Sequence, residues 1–170
     1  HTASAHRAEN ATHHLTTLLN NLISEPLDNG NKNFLPSSIQ IATIDVGNTA
    51  ANIIPETAKA TVNIRYNDLH NSKSLTEWMQ KHINDVFDKI DKASCVFEVE
   101  ANGESFLTEP GKLSTLITKS ISEVTGRNSK PELATDGGTS DARFIKDYCE
   151  VVELGIRNQT LHQVDEFVFL

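Results

Sequence analysis

Apolar and polar residues alternate along this chain with two different periods, and each change of period marks an element. Between Ala8 and Glu25 the apolar positions Leu15, Leu18, Leu19, Leu22 and Ile23 recur every three or four residues, which places them on one face of a helix. Pro26 ends that pattern, since proline cannot continue the helical hydrogen-bond ladder. Residues 27–34 are rich in Asn and Gly with few apolar side chains and predict an exposed loop. The period then drops to two. Ile39, Ile41, Thr43 and Asp45 alternate with Gln40, Ala42, Ile44 and Val46, and Ala60, Val62 and Ile64 alternate with Lys59, Thr61, Asn63 and Arg65. Both segments predict strands, the second with a polar face. Gly47 to Pro55 between them is too long and too rich in Asn for a tight hairpin.

Ser74, Leu75, Thr76 and Glu77 have the pattern of a capping box, and predict a helix from Ser74 to about Asp91. Its buried face would be Leu75, Trp78, Met79, Ile83, Val86, Phe87 and Ile90, a stripe better suited to a core than to a ligand pocket. Cys95, Phe97, Val99 and Ala101 alternate with Val96, Glu98 and Glu100 and predict a strand exposed on one side. The order helix, strand, strand, helix, strand predicts an α+β domain. With one more strand ahead of His1 it would be the split βαβ (ferredoxin-like) arrangement, an antiparallel sheet with two helices on one face.

Pro110-Gly111 is a turn signal and the predicted domain boundary, dividing the chain into 1–109 and 110–170. Beyond it, Leu113, Leu116, Ile117, Ile121 and Val124 predict a helix stopped by Gly126. A short helix from about Ser140 to Lys146 and a strand over Glu150 to Leu154 complete a second block with α/β alternation.

Composition narrows the partners. With 38% hydrophobic and 22% charged residues the chain reads as a soluble globular protein. A formal net charge of -8 argues against a nucleic-acid surface, which needs a basic face. No apolar run approaches the length of a membrane span and none resembles a signal peptide. Neither excludes a small anionic substrate, because a few cations can dominate a pocket. Cys95 and Cys149 are far apart without metal-type spacing, and predict buried reduced thiols of a cytosolic protein. The chain begins at His1 rather than Met, which fits a piece of a longer protein.

Candidate chemistry lies in Asp136-Gly137-Gly138-Thr139-Ser140-Asp141-Ala142-Arg143. Two glycines permit a backbone turn open to a ligand, and Ser140 or Asp141 can cap a following helix. An ordinary strand-to-helix turn accounts for the same residues. Ser140 lacks the G-x-S-x-G setting of a hydrolase nucleophile. Arg65 offers a planar fork for a carboxylate, or else a cross-strand ion pair. His13 and His14 are helix neighbours that point apart, and His6 and His82 read as structural or surface residues.

Residues 136–145, 150–155 and 158–166, with His1 to Asn10, Gly47 to Pro55 and Asn63 to Tyr66, resemble in order and spacing the desuccinylases. These belong to a zinc peptidase family that also holds acetylornithine deacetylases, aminoacylases and glutamate-releasing carboxypeptidases. The resemblance spans nearly the whole chain. It implies that 1–109 is a lid and dimerisation domain and 110–170 the C-terminal part of a zinc-peptidase catalytic domain. It implies His162 as one ligand of a two-zinc centre, with cobalt a possible substitute, whose other ligands and general-base glutamate lie outside this chain. It assigns His1 to stabilising the oxyanion in the partner's active site, with Asn52 also lent across a homodimer. Arg65, Gly138, Thr139, Ser140 and Asn158 would contact the substrate. Asp165 and Glu166 could orient His162 or form a solvated acidic turn, and Asp141 could pair with Arg143 at the start of the short helix. The expected reaction is hydrolysis of a dicarboxylate amide, N-succinyl-LL-2,6-diaminopimelate, to succinate and LL-2,6-diaminopimelate for lysine synthesis in a bacterial cytoplasm. No nucleic acid or membrane takes part, and the 170-residue chain alone should be inactive. The alternatives are a deacetylase or aminoacylase of the same family, and a non-catalytic dimerisation module that pairs sheet edges.

Overall fold

Asn10 starts the first long element: its side chain accepts from the Thr12 amide at 3.0 Å and caps helix α1, Ala11–Ile23. In the computed structural model the described residues are 1–126, 130–136, 140–155 and 160–168. The other long elements are strands β1 (Ser38–Asp45) and β2 (Lys59–Arg65), helix α2 (Ser72–Phe87) and helix α3 (Lys112–Thr125). A 3-10 turn at Thr2–Arg7 precedes α1, and the one-turn helix α4 covers Ala142–Ile145. The chain divides into two units, His1–Phe106 with Ala134–Gly137, and Leu107–Leu133 with Gly138–Leu170.

In the first unit β1 and β2 pair antiparallel, from Ser38 opposite Arg65 to Asp45 opposite Lys59, with a register shift between Ile41 and Thr43. Leu18, Leu19 and Leu22 of α1 meet Met79 and Ile83 of α2, and Ile41, Ala60, Val62 and Ile64 of the strands pack against that cluster. The strand residues facing the core are those that the alternation selects. In β1 the inward pattern fades after Ile41, at the shift, and Ile44 is exposed. This is an α+β arrangement, a two-stranded antiparallel sheet with helices.

The start of α2 corrects the sequence reading. The cap is Asn71, three residues ahead of Ser74: its side chain accepts from the Ser74 amide at 2.8 Å, while the Asn71 amide donates to the Ser74 hydroxyl at 3.1 Å. Asn caps as well as Ser, and starting at Asn71 adds a turn to the helix, leaving Glu77 on the surface, 3.9 Å from Lys73. The helix closes at Phe87 rather than near Asp91.

Two predicted strands are absent among the described residues. Cys95 to Ala101 carries no ladder; Phe97 packs against the core, whereas Val96 is 87% exposed. Glu150 to Leu154 is likewise without a ladder. Alternation marks two faces, but a strand also needs a neighbour to pair with, and the only sheet among the described residues has two strands. The cysteines follow suit: both thiols are free, but exposed rather than buried.

Residues 28–37 are more ordered than an exposed loop. The Asp28 carboxylate accepts from the Gly30 amide at 2.6 Å, the Ser37 amide at 3.2 Å and the Asn67 side-chain amide at 2.8 Å, and lies 3.1 Å from His70 Nε2. Ser37 and Asn67 are buried. Gly30 has φ +71°, and a Cβ there would meet the Phe34 carbonyl oxygen at 2.6 Å. Only glycine fits.

Candidate functional site

The first residues of the chain lie against the loop between the strands. His1 is exposed and its Nδ1 accepts from the Ala3 amide at 3.1 Å, capping the 3-10 turn. The Thr2 amide donates to the Asn52 carbonyl at 2.9 Å, and Ala11 donates to Pro55 at 3.3 Å. The loop is stiffened from within, because Asn48 Nδ2 donates to the carbonyls of Ala50 at 3.1 Å and Ile53 at 3.0 Å. His1 and Asn52 are thus neighbours in one unit. Arg65 is exposed at the end of β2, opposite Ser38. These are three candidate residues held on backbone that α1, the sheet and the loop fix.

Tyr66, directly after Arg65, is tied down. Its hydroxyl donates to the Gly103 carbonyl at 2.7 Å and lies 3.2 Å from Glu104 Oε2. The same carboxylate accepts from the Ser72 amide at 3.1 Å and from the Ser72 hydroxyl. The hydrogen bond from the Ser72 hydroxyl holds the Glu104 carboxyl below its ordinary pKa, and burial together with the Glu104 charge pushes the Tyr66 phenol up.

In the second unit Ser140 is half-buried, and its Oγ accepts from the Ala142 amide at 3.0 Å. That contact places Ser140, not Asp141, as the side-chain cap of α4. The Asp141 to Arg143 ion pair does not form among the described residues. The Arg143 guanidinium instead stacks 4.6 Å from the Phe144 ring centre, and its Nε is buried without a hydrogen-bond partner. Glu150 reaches the start of α3, where its Oε2 accepts from the Leu113 amide at 2.8 Å.

His162 is exposed, with a left-handed φ of 60°. Glu166 does reach it, but through the backbone: the His162 amide donates to Glu166 Oε2 at 3.3 Å. Thr160 closes the turn, its Oγ1 accepting from the Phe167 amide at 3.1 Å. Gly138, Thr139 and Asn158 lie outside the described residues. Among the described residues no three of His, Cys, Asp and Glu form a group that could hold a metal. One imidazole does not make a zinc site, which takes three or four protein ligands, so these residues alone do not fit a two-metal centre. The Asp28 and Glu104 clusters escaped sequence reasoning. Each draws on a distant partner, 39 residues away for Asp28 and 32 for Glu104, which no local pattern announces.

Residues 1–91 match the family model described as the peptidase dimerisation domain. Proteins named succinyl-diaminopimelate desuccinylase match nearly the whole chain. The one from Parvibaculum lavamentivorans is 47% identical over 166 residues, covering 98% of this chain and 41% of its own length. Those from Ruegeria pomeroyi and Rhodospirillum rubrum are 48% and 46% identical over 168 residues, covering 99% of this chain and 43% and 42% of their own lengths. The chain therefore spans about two fifths of the curated relatives it matches.

Proposed function

Since this chain belongs to the peptidase dimerisation-domain family, we propose that it is part of a succinyl-diaminopimelate desuccinylase. The observation that carries the reading is the identity of 46–48% running through both units. The parent would hydrolyse N-succinyl-LL-2,6-diaminopimelate to succinate and LL-2,6-diaminopimelate in the cytoplasm of a bacterium. Residues 1–109 would be its lid and dimerisation domain and 110–170 the end of its catalytic domain.

The roles are those the resemblance assigns, and each side chain has the chemistry to carry its own. His1, beside Asn52, would donate to the amide oxygen as it becomes an oxyanion in the partner's site. Arg65 would grip a substrate carboxylate bidentately. Gly138, Thr139, Ser140 and Asn158 would line the substrate end. His162 is the one metal ligand proposed here, for zinc by preference and cobalt as a substitute, and the rest of that centre belongs to the parent. When bound, such metals supply an activated water and a polarised carbonyl. No helix among the described residues is long and apolar enough to cross a membrane.

Turnover of N-succinyl and N-acetyl diaminopimelate by the full-length parent tests the reading. The succinyl substrate should be favoured by at least about tenfold in kcat/KM, the worth of one added charged contact. Preference for the acetyl substrate would move the parent to the deacetylases. The 170-residue chain alone should hydrolyse neither, and detectable turnover would contradict its assignment as an incomplete site.

A further inference from the structure

Residues 92–110, the stretch that leads out of the first unit, contain no helix or strand. Backbone without a ladder is held only by what its side chains and isolated amides reach. Two ties to the first unit are present: Phe97 against the core, and the Gly103-Glu104 pair against Tyr66 and Ser72. The second tie sits two residues before the end of the unit at Phe106. It also grips the chain at two functionally different places. Tyr66 adjoins Arg65, where the pairing of β1 with β2 ends, and Ser72 is the first residue of α2.

We propose that Glu104 is a positioning residue for Arg65: through Tyr66 it clamps the C-terminal end of β2, so that the Arg65 guanidinium meets a substrate carboxylate from a fixed backbone. This rests on the role proposed above for Arg65. Past Ser38 the ladder between β1 and β2 gives way to side-chain ties: the Asn67 amide donates to Ser37 Oγ at 3.1 Å, and Tyr66, between Arg65 and Asn67, is held through its own hydroxyl. The Tyr66 phenol adds one hydrogen bond to a carbonyl and a contact with a carboxylate, which tie the residue next to Arg65 to residues 103–104. The contacts of Glu104 with Ser72 serve a different purpose, satisfying donors at the first turn of α2. The two arms of the clamp are therefore separable by mutation.

The experiment compares Tyr66→Phe, Ser72→Ala and Glu104→Gln in two settings. In the full-length parent, Tyr66→Phe and Glu104→Gln should raise KM for the succinylated substrate about three- to tenfold, the worth of one hydrogen bond, with kcat within about twofold. Ser72→Ala should leave KM unchanged. In the 170-residue chain, amide exchange should quicken at residues 64–66 and 103–105 in Tyr66→Phe, and at the first turn of α2 in Ser72→Ala. Should Glu104→Gln fold poorly, Tyr66→Phe carries the test alone, because it removes only a hydroxyl. An unchanged KM, or exchange that quickens equally in all three variants, would overturn the proposal. A parent without desuccinylase activity would refute the functional reading, and the exchange data would still decide whether the clamp holds β2.

Discussion

The two units use similar local devices with very different results. Both start a long helix with a downstream carboxylate on its first-turn amides, Glu104 on Ser72 in α2 and Glu150 on Leu113 in α3. Both helices carry an apolar stripe. In the first unit that stripe has something to meet: Leu75, Met79 and Ile83 are buried, and Met79 and Ile83 build a continuous core with α1 and the sheet. In the second unit Ala142 is the only buried apolar residue among those described, while Leu116 is 61% exposed, and Phe144, Leu154 and Val168 are exposed too. Amphipathicity makes a helix ready to pack, but burial requires a second surface, and most of a helix's stability comes from that packing. The first unit contains both surfaces; among its described residues the second presents one.

The largest effects should separate the units. Leu22→Ala, at a side chain 1% exposed, should lower stability by about 2–5 kcal/mol in denaturant unfolding. Leu116→Ala should change it by less than about 0.5 kcal/mol. Comparable losses at the two sites would mean that α3 is packed as α1 is.

A smaller effect should come from the buried polar cluster. Asp28→Asn removes a charged acceptor from the Gly30, Ser37 and Asn67 donors and should cost about 2 kcal/mol. The same carboxylate gives a pH signature. Burial alone would raise its pKa, but hydrogen bonds from Ser37, Gly30 and Asn67 outweigh burial and lower it from 3.8 to about 2. A group whose folded pKa is depressed stabilises the fold fully above its unfolded value and loses that contribution as pH falls through the folded one. Stability of the first unit should therefore hold down to about pH 4 and decline towards pH 2. In Asp28→Asn that part of the acid dependence should vanish, and a profile identical to the wild type would refute the assignment.

The smallest effect concerns the second unit. Glu150→Gln should weaken the start of α3 by roughly 0.3–1 kcal/mol, since a carboxylate there complements the helix dipole. Faster amide exchange at Leu113 with unchanged exchange in α1 would fit; no change at Leu113 would not.

What the sequence made legible was local. The stripes of α1 and α3, the alternation of β1 and β2, and the stop at Gly126, where φ is 62°, all rest on neighbours within one or two turns. What it hid was distant or relational. Asp28 draws on partners 39 and 42 residues away, so the loop that carries it is anchored to buried Ser37 and Asn67. Cys95 to Ala101 alternates as a strand does, but alternation reports on faces and says nothing of whether an edge is available. At the candidate site, the residue types of His1, Asn52 and Arg65 are as consistent with turns and ion pairs as with catalysis. Their proposed roles came from resemblance, and the adjacency of His1 and Asn52 came from the fold.

The measurement that bears most directly on the proposed function is activity in a mixture of two inactive full-length parents, His1→Ala and His162→Ala. If His1 serves the partner's active site, half of the dimers formed on mixing are hybrids, each with one site that has both histidines. Mixing should then restore roughly a quarter of wild-type desuccinylase activity. If the mixture stays as inactive as its components while hybrid dimers are present, His1 does not act across the dimer and the account of this unit as a shared lid is wrong.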